Sequence, residues 1–171
     1  MIVLMAGLPG TGKSTLAREL AARMAGRVIG KDEIRHALFR PEEIEYSTLQ
    51  DDFCLQIMLE TAAYFLGRNS ARVILLDGRT FSRRYQIDNV VNFGASLRQP
   101  WCILECVCSE DAARRRLAAD AETGSHLAVN RDWQLYLAVK SRFETITHTK
   151  TVIDMDLPLE SCVRRALAVI G

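Results

Sequence analysis

Gly7-Leu8-Pro9-Gly10-Thr11-Gly12-Lys13-Ser14 fits the pattern G-x-x-x-x-G-K-[ST] at every fixed position. The apolar stretch Ile2-Val3-Leu4-Met5-Ala6 stands before it. After it Leu16, Leu20 and Met24 recur at four-residue spacing, the mark of an amphipathic helix, with Gly26 as its expected C-terminal cap. Strand, glycine loop and helix in that order build an anion nest. Glycines let main-chain amides turn inward and let a phosphate come close. The start of the helix adds its positive dipole end. Lys13 is then placed to reach the terminal phosphates of a nucleoside triphosphate, and Ser14 to offer a hydroxyl to Mg²⁺. Pro9, Thr11 and Thr15 complete the expected binding set with Gly7, Gly10, Gly12, Lys13 and Ser14.

Outward from the loop, short apolar runs alternate with helical patterns. The runs are Ile2 to Ala6, Arg27 to Gly30, Val73 to Leu76, Trp101 to Val107 and Thr151 to Ile153. Ser47 and Gln50 form a capping box ahead of Leu49, Phe53 and Ile57. Ser109 precedes Glu110 and Asp111, first-turn chemistry for a helix through Leu117. Arg131 to Glu144 reads as another amphipathic helix, and Leu159, Val163, Leu167 and Ile170 share a face of the last. Such alternation predicts an α/β fold, with one five-stranded parallel sheet and helices on both faces. Ligands in such doubly wound sheets sit beyond the carboxyl ends of the strands.

Composition narrows the class. The 171 residues suit one domain, and neither a repeat nor a Pro/Gly-rich linker divides them. A formal net charge of +1 gives no sign of a whole-surface nucleic-acid or membrane footprint. No run approaches the ~18 apolar residues of a membrane span, and no basic leader precedes Ile2, so the expectation is a cytoplasmic protein. Five cysteines without ligand spacing read as reduced core thiols. Of these, Cys102, Cys106 and Cys108 share one face of a strand. His36, His126 and His148 are scattered and receive no role.

Two further stretches are expected to open on the same crevice. In Lys31-Asp32-Glu33-Ile34-Arg35, a helix beginning near Asp32 puts Arg35 one turn on, on the same face. A carboxylate to orient an attacking hydroxyl and take its proton would then stand beside a guanidinium for substrate or developing charge. Asp32 and Glu33 equally suit a helix first turn, and Arg35 a surface position. Val73 to Leu76 ends in Asp77-Gly78-Arg79. An acid at that strand tip serves Mg²⁺ through water, a substrate hydrogen bond, or an Asp-Gly turn.

The glycine loop followed by Asp32-x-x-Arg35 resembles the kinase module of polynucleotide 5′-hydroxyl kinases. It is also similar to the wider P-loop kinase set of zeta-toxin-like and chloramphenicol-phosphotransferase-like proteins. The resemblance spans nearly the whole chain and implies a P-loop kinase fold. It implies a general-base role for Asp32 and substrate contact for Arg35. The Asp77 stretch would line the acceptor pocket, with Arg79, Arg83 and Arg84 toward an anionic or polar substrate. Cys108 to Leu117 resembles the segment leading to the lid, so Arg116 would contact the ATP phosphates. The second lid arginine falls on Asp120, with Arg115 and Arg131 as stand-ins, and about 118–131 as the lid. Trp133 and Tyr136 read as packing residues.

These readings converge on an enzyme that moves the γ-phosphate of Mg·ATP to a hydroxyl on a small molecule or nucleotide. ATP is preferred to GTP because Thr149-Lys150-Thr151 lacks the acid of a guanine-reading N-K-x-D. A nucleic-acid 5′-hydroxyl as acceptor has Asp32 and Arg35 for it, and Asp120 and the near-neutral charge against it. A nucleotide switch that hydrolyses ATP without an acceptor needs a second acid after the strand acid, where this chain has Gly78.

Overall fold

The computed structural model describes residues 1–123 and 132–171. Its strands are β1 (Ile2–Ala6), β2 (Arg27–Gly30), β3 (Ile74–Asp77), β4 (Trp101–Val107) and β5 (Thr151–Asp154). All pair in parallel, in the order β2-β3-β1-β4-β5, so β1 is central. Helices α1 (Lys13–Arg23), α2 (Lys31–Leu38), α3 (Thr48–Arg68), α4 (Arg84–Ser96), α5 (Glu110–Thr123), α6 (Trp133–Ser141) and α7 (Leu159–Ile170) connect or follow them. None among the described residues is long and apolar enough to cross a membrane.

Side-chain alternation along β1 sorts the helices into two layers. Ile2, Leu4 and Ala6 face a core with Met58 and Ala62 of α3 and Val90 of α4. Val3 and Met5 face Leu16 and Leu20 of α1 and Val163 and Ala166 of α7. Both faces of the sheet are covered, which is why β1 reads as continuously apolar. The sequence expectation of a doubly wound sheet with helices on both faces holds.

Several local expectations shift. Val73 lies outside β3, and Asp77 instead closes the ladder opposite Gly30. The left-handed residue after α1 is Ala25, at φ 50°, one position before Gly26. Gly26 serves close packing: a Cβ there would stand 3.2 Å from Leu75 Cδ1 and 3.3 Å from the Val73 carbonyl oxygen. At α3, Ser47 Oγ accepts from the Gln50 amide (3.1 Å), but the Gln50 side chain does not close the box. Its Oε1 accepts from Arg35 and from the Glu45 amide instead, drawn by a buried guanidinium. The helix expected over Arg131 to Glu144 ends at Ser141, because Glu144 turns to donate its amide to the Ser82 carbonyl (2.9 Å). Of the expected lid, residues up to Thr123 continue α5, while Gly124 to Arg131 lie outside the described residues.

All five cysteines are free thiols, and Cys106 packs in the α1/α7 layer with Cys102 and Cys108 against it. Burial pushes the Cys106 thiol up to about 12, with Lys13 pulling the other way, and pushes Cys102 up to about 11. Both are therefore protonated near neutrality, and Cys106 is fully enclosed. Native protein treated with iodoacetamide at about pH 8 should leave Cys106 unlabelled by peptide mass spectrometry, and denatured protein should label it. Modification of Cys106 in the native state would contradict this burial.

Candidate active site

The glycine loop joins β1 to α1 and carries three left-handed residues, Gly7 (φ 132°), Gly10 (φ 76°) and Gly12 (φ 89°). Two of the three are also required by contact. A Cβ on Gly7 would lie 2.3 Å from the Cys106 carbonyl oxygen, and one on Gly10 would lie 2.9 Å from that of Ala113. Gly7→Ala thus combines backbone strain with a clash against main chain. It is expected to cost about 2 kcal/mol or more, which in a chain of this size lowers the melting temperature by about 4–8 °C. An unchanged thermal transition would show that the loop relaxes freely.

Gly12 is the N-cap of α1 and no side chain caps it, so the first amides of the helix have no side-chain acceptor at the cap. The first turn also carries no acid to compete with an anion there. Lys13 is buried and folds across the loop, donating to the Leu8 carbonyl (2.7 Å), and Thr11 Oγ1 donates to the same oxygen (2.8 Å). Arg116 reaches over from α5. Its Nη2 donates to the Met155 carbonyl (2.8 Å), and its buried Nη1 has no acceptor among the described residues. That Nη1 stands 3.9 Å from where a Cβ on Gly12 would be. The arginine singled out from the lid segment therefore sits beside the loop.

A cavity of about 330 Å³ opens against the loop, lined at that end by Pro9, Lys13 and Ser14. Its far wall begins on α2. Pairing of Gly30 with Asp77 brings the start of α2 to the tip of β3, and Gly78 at φ 87° permits the approach. A Cβ on Gly78 would stand 3.0 Å from the Lys31 amide nitrogen. Asp32 and Arg35 meet as the helical spacing predicts: Arg35 Nη1 donates to Asp32 Oδ1 at 2.7 Å. Arg35 is not on the surface; its side chain is 0% exposed.

Burying a guanidinium needs partners on every side, since an unpaired charge there costs several kcal/mol. Arg35 has them: Asp32, Gln50 Oε1 (3.1 Å), Asp51 and the Tyr46 ring, 5.0 Å from its Cζ. Lys31 Nζ donates to Asp51 at 2.6 Å and lies 3.9 Å from Asp32. Tyr46 holds a left-handed φ of 51°, a conformation that costs a bulky residue about 1 kcal/mol or more and is kept where the surroundings demand it. Lys31, Asp51 and Tyr46 all line the cavity; Tyr46 ends the loop Phe39 to Tyr46, which the sequence suggests as part of an acceptor pocket, while Lys31 and Asp51 carry no signal of a role along the chain.

Asp77 and Arg79 are both buried at the tip of β3 and just beyond it. Asp77 Oδ1 has no hydrogen-bond partner among the described residues. Partial desolvation, and then the charge of Asp77, pushes the neighbouring Glu33 carboxyl above its ordinary value. Arg79 lines the cavity and gives Nη2 to Asp52 (2.5 Å), which also accepts from the Tyr85 hydroxyl (3.1 Å). Arg83 lines the cavity and pairs with Glu144 (3.0 Å). Arg84 does not line it: its amide donates to Glu144 (2.7 Å), and its side chain is exposed. The arginine facing the cavity at this turn is thus Arg83. From α6 and its end, Leu135, Val139 and Arg142 close the wall. Trp133 and Tyr136 stack at 4.5 Å, and Tyr136 packs on Ala113 and Leu117 beside Leu8.

The arrangement is a cleft with the glycine loop and the start of α1 at one end and, at the other, a carboxylate held by a buried guanidinium. The family described as "AAA domain" matches residues 2–146 of the chain. No curated protein matches the sequence. Among solved structures, the chain is similar to a Mycobacterium tuberculosis APS kinase in complex with AMPPNP and APS. Identity there is 16%, the TM-score 0.72, and coverage 99% of this chain and 96% of that one. It is also similar to a gluconokinase from Sinorhizobium meliloti (19% identity, TM-score 0.68, 98% and 89% covered). A third is Kti12 from Chaetomium thermophilum in complex with ADP-AlF3 (15% identity, TM-score 0.71, 99% and 97% covered). At these identities the likeness establishes the shared fold.

Proposed function

Because the chain belongs to the AAA-domain family, we propose that it is an ATP-dependent kinase that transfers the γ-phosphate to a hydroxyl of a small acceptor. The observation that carries this reading is the single cavity shared by Lys13 and Ser14 of the glycine loop and by Asp32. A nucleotide held in the nest would present its terminal phosphate toward that carboxylate, with space between them for an alcohol. The kinases among the structural relatives support the same chemistry, and the loop followed by Asp32 and Arg35 keeps its resemblance to the polynucleotide-kinase-like group.

Gly7, Pro9, Gly10, Thr11, Gly12, Lys13, Ser14 and Thr15 form the triphosphate site, and Arg116 neutralises phosphate from the α5 side. Its buried Nη1, near Gly12 and without an acceptor among the described residues, suits that role. Ser14 and Asp77 would hold Mg²⁺. The unpartnered Asp77 Oδ1 fits a hard cation or its water, and a kinase magnesium takes few protein oxygens, the rest being phosphate and water. The ion would supply charge neutralisation at the triphosphate. Asp32 accepts the proton of the acceptor hydroxyl as its oxygen bonds to the γ-phosphorus. The bond from phosphorus to the β-phosphate oxygen breaks, and ADP leaves. Arg35 fixes the Asp32 carboxylate by its 2.7 Å bond. Because charge in the transition state is spread over the transferring group, most of the rate comes from placing these groups.

An ADP-release assay across nucleosides, nucleotides, sugars, sugar acids, oligonucleotides and amino alcohols tests the proposal. The expected result is turnover that rises with one acceptor class. A low ATPase rate unaffected by every acceptor would return the protein to the switch class.

A further inference from the structure

Resting on that kinase reading, we propose that the acceptor is a small alcohol bearing an anionic group, held by Arg79 and Arg142 while its hydroxyl faces Asp32. The charge of the cavity wall points there. Among the described residues, Lys13, Lys31, Arg35, Arg79, Arg83 and Arg142 line it against Asp32 and Asp51, in a chain whose net charge is +1. Some of these cations are spoken for. Lys13 belongs to the triphosphate, Lys31 and Arg35 to Asp32 and Asp51, and Arg83 to Glu144.

Two remain. Arg79 is 2% exposed, yet only its Nη2 has an acceptor, in Asp52; Nε and Nη1 are buried without one among the described residues. Arg142 lines the cavity without an ion pair to any described residue. A guanidinium kept nearly dry with two donors unsatisfied costs stability, and an anion at the wall repays it with charge-assisted hydrogen bonds. Tyr46, Tyr85, Thr48 and Ser82 surround the remaining space with hydroxyls and ring faces, which suit a polyol or a planar ring between the two ends. A cationic acceptor, such as an amino sugar, meets a wall with six cations against two carboxylates among the described residues.

Matched pairs decide the case: glycerol and glycerol 3-phosphate, glucose and gluconate, adenosine and adenosine 5′-monophosphate, each assayed for ADP release. Turnover is expected with the anionic member of a pair and not with its neutral partner. For the accepted alcohol, R142Q and R79K should each raise KM about tenfold or more, the worth of one charge-assisted hydrogen bond, with kcat within about threefold. A neutral or cationic alcohol as the best acceptor, or an unchanged KM in both variants, overturns the proposal. If no pair member turns over, binding decides it. Inorganic sulfate titrated at constant ionic strength into protein saturated with Mg·AMPPNP should give a saturable thermal stabilisation that R142Q and R79K weaken about tenfold. No sulfate stabilisation, or equal stabilisation in the variants, also overturns it. Failure of Mg·AMPPNP to bind would instead sink the kinase reading. Sulfate titrations of Lys13→Ala with and without R142Q or R79K then decide the anion site alone, since the loop contributes equally to both and only the difference reads the two arginines.

Discussion

Lys13→Ala should reduce acceptor-dependent ADP formation by about two to three orders of magnitude, with the fold unchanged by circular dichroism. The ammonium is buried against the loop and held by the Leu8 carbonyl at 2.7 Å, so it is positioned before any nucleotide arrives. That preorganisation makes its charge valuable: it needs little reorganisation to meet a triphosphate, and it acts where water is scarce. The effect should fall mostly on transfer. Glycines and the α1 dipole still hold phosphate, so nucleotide affinity should drop by a smaller factor, measurable by titration with a fluorescent ATP analogue. A Lys13→Ala protein that phosphorylates at the wild-type rate would remove the glycine loop from the mechanism, and with it the assignment of the cleft.

The layered sheet was legible because β1 and the glycine loop each carry a local signature that tertiary packing does not override. Asp32 and Arg35 were legible for a related reason: three residues on a helix fix their mutual distance. The rest of the site depends on elements distant in sequence. Asp51 stands sixteen residues from Arg35, and only the packing of α3 on α2 brings its carboxylate to the guanidinium. Read along the chain, Asp51 is an ordinary first-turn acid of α3, and Asp52 simply follows it. Gln50 looked like half of a capping box, and a buried cation claimed its oxygen instead. Arg83 and Arg84 differ in role because Glu144 gathers the turn from sixty residues away, which no local pattern encodes.

Asp32→Asn should retain nucleotide binding and lose phosphoryl transfer by about two to four orders of magnitude, the range for removing a placed base. The substitution keeps the shape of the side chain and an oxygen able to accept from Arg35, so the 2.7 Å contact has a neutral replacement. Arg35 stays buried but keeps Asp51 and Gln50, and stability should fall by no more than about 1–2 kcal/mol. That separates chemistry from collapse: thermal unfolding and ATP-analogue affinity stay near wild type while kcat disappears. Asp51→Asn gives the contrast. It strips the shared anion from Lys31 and Arg35 without touching the base, so it should unsettle the position of Asp32 and cost about tenfold in kcat. If Asp32→Asn phosphorylates as fast as the parent while Asp51→Asn is dead, the proton is taken at Asp51, and the α2 carboxylate is only a counter-ion for Arg35.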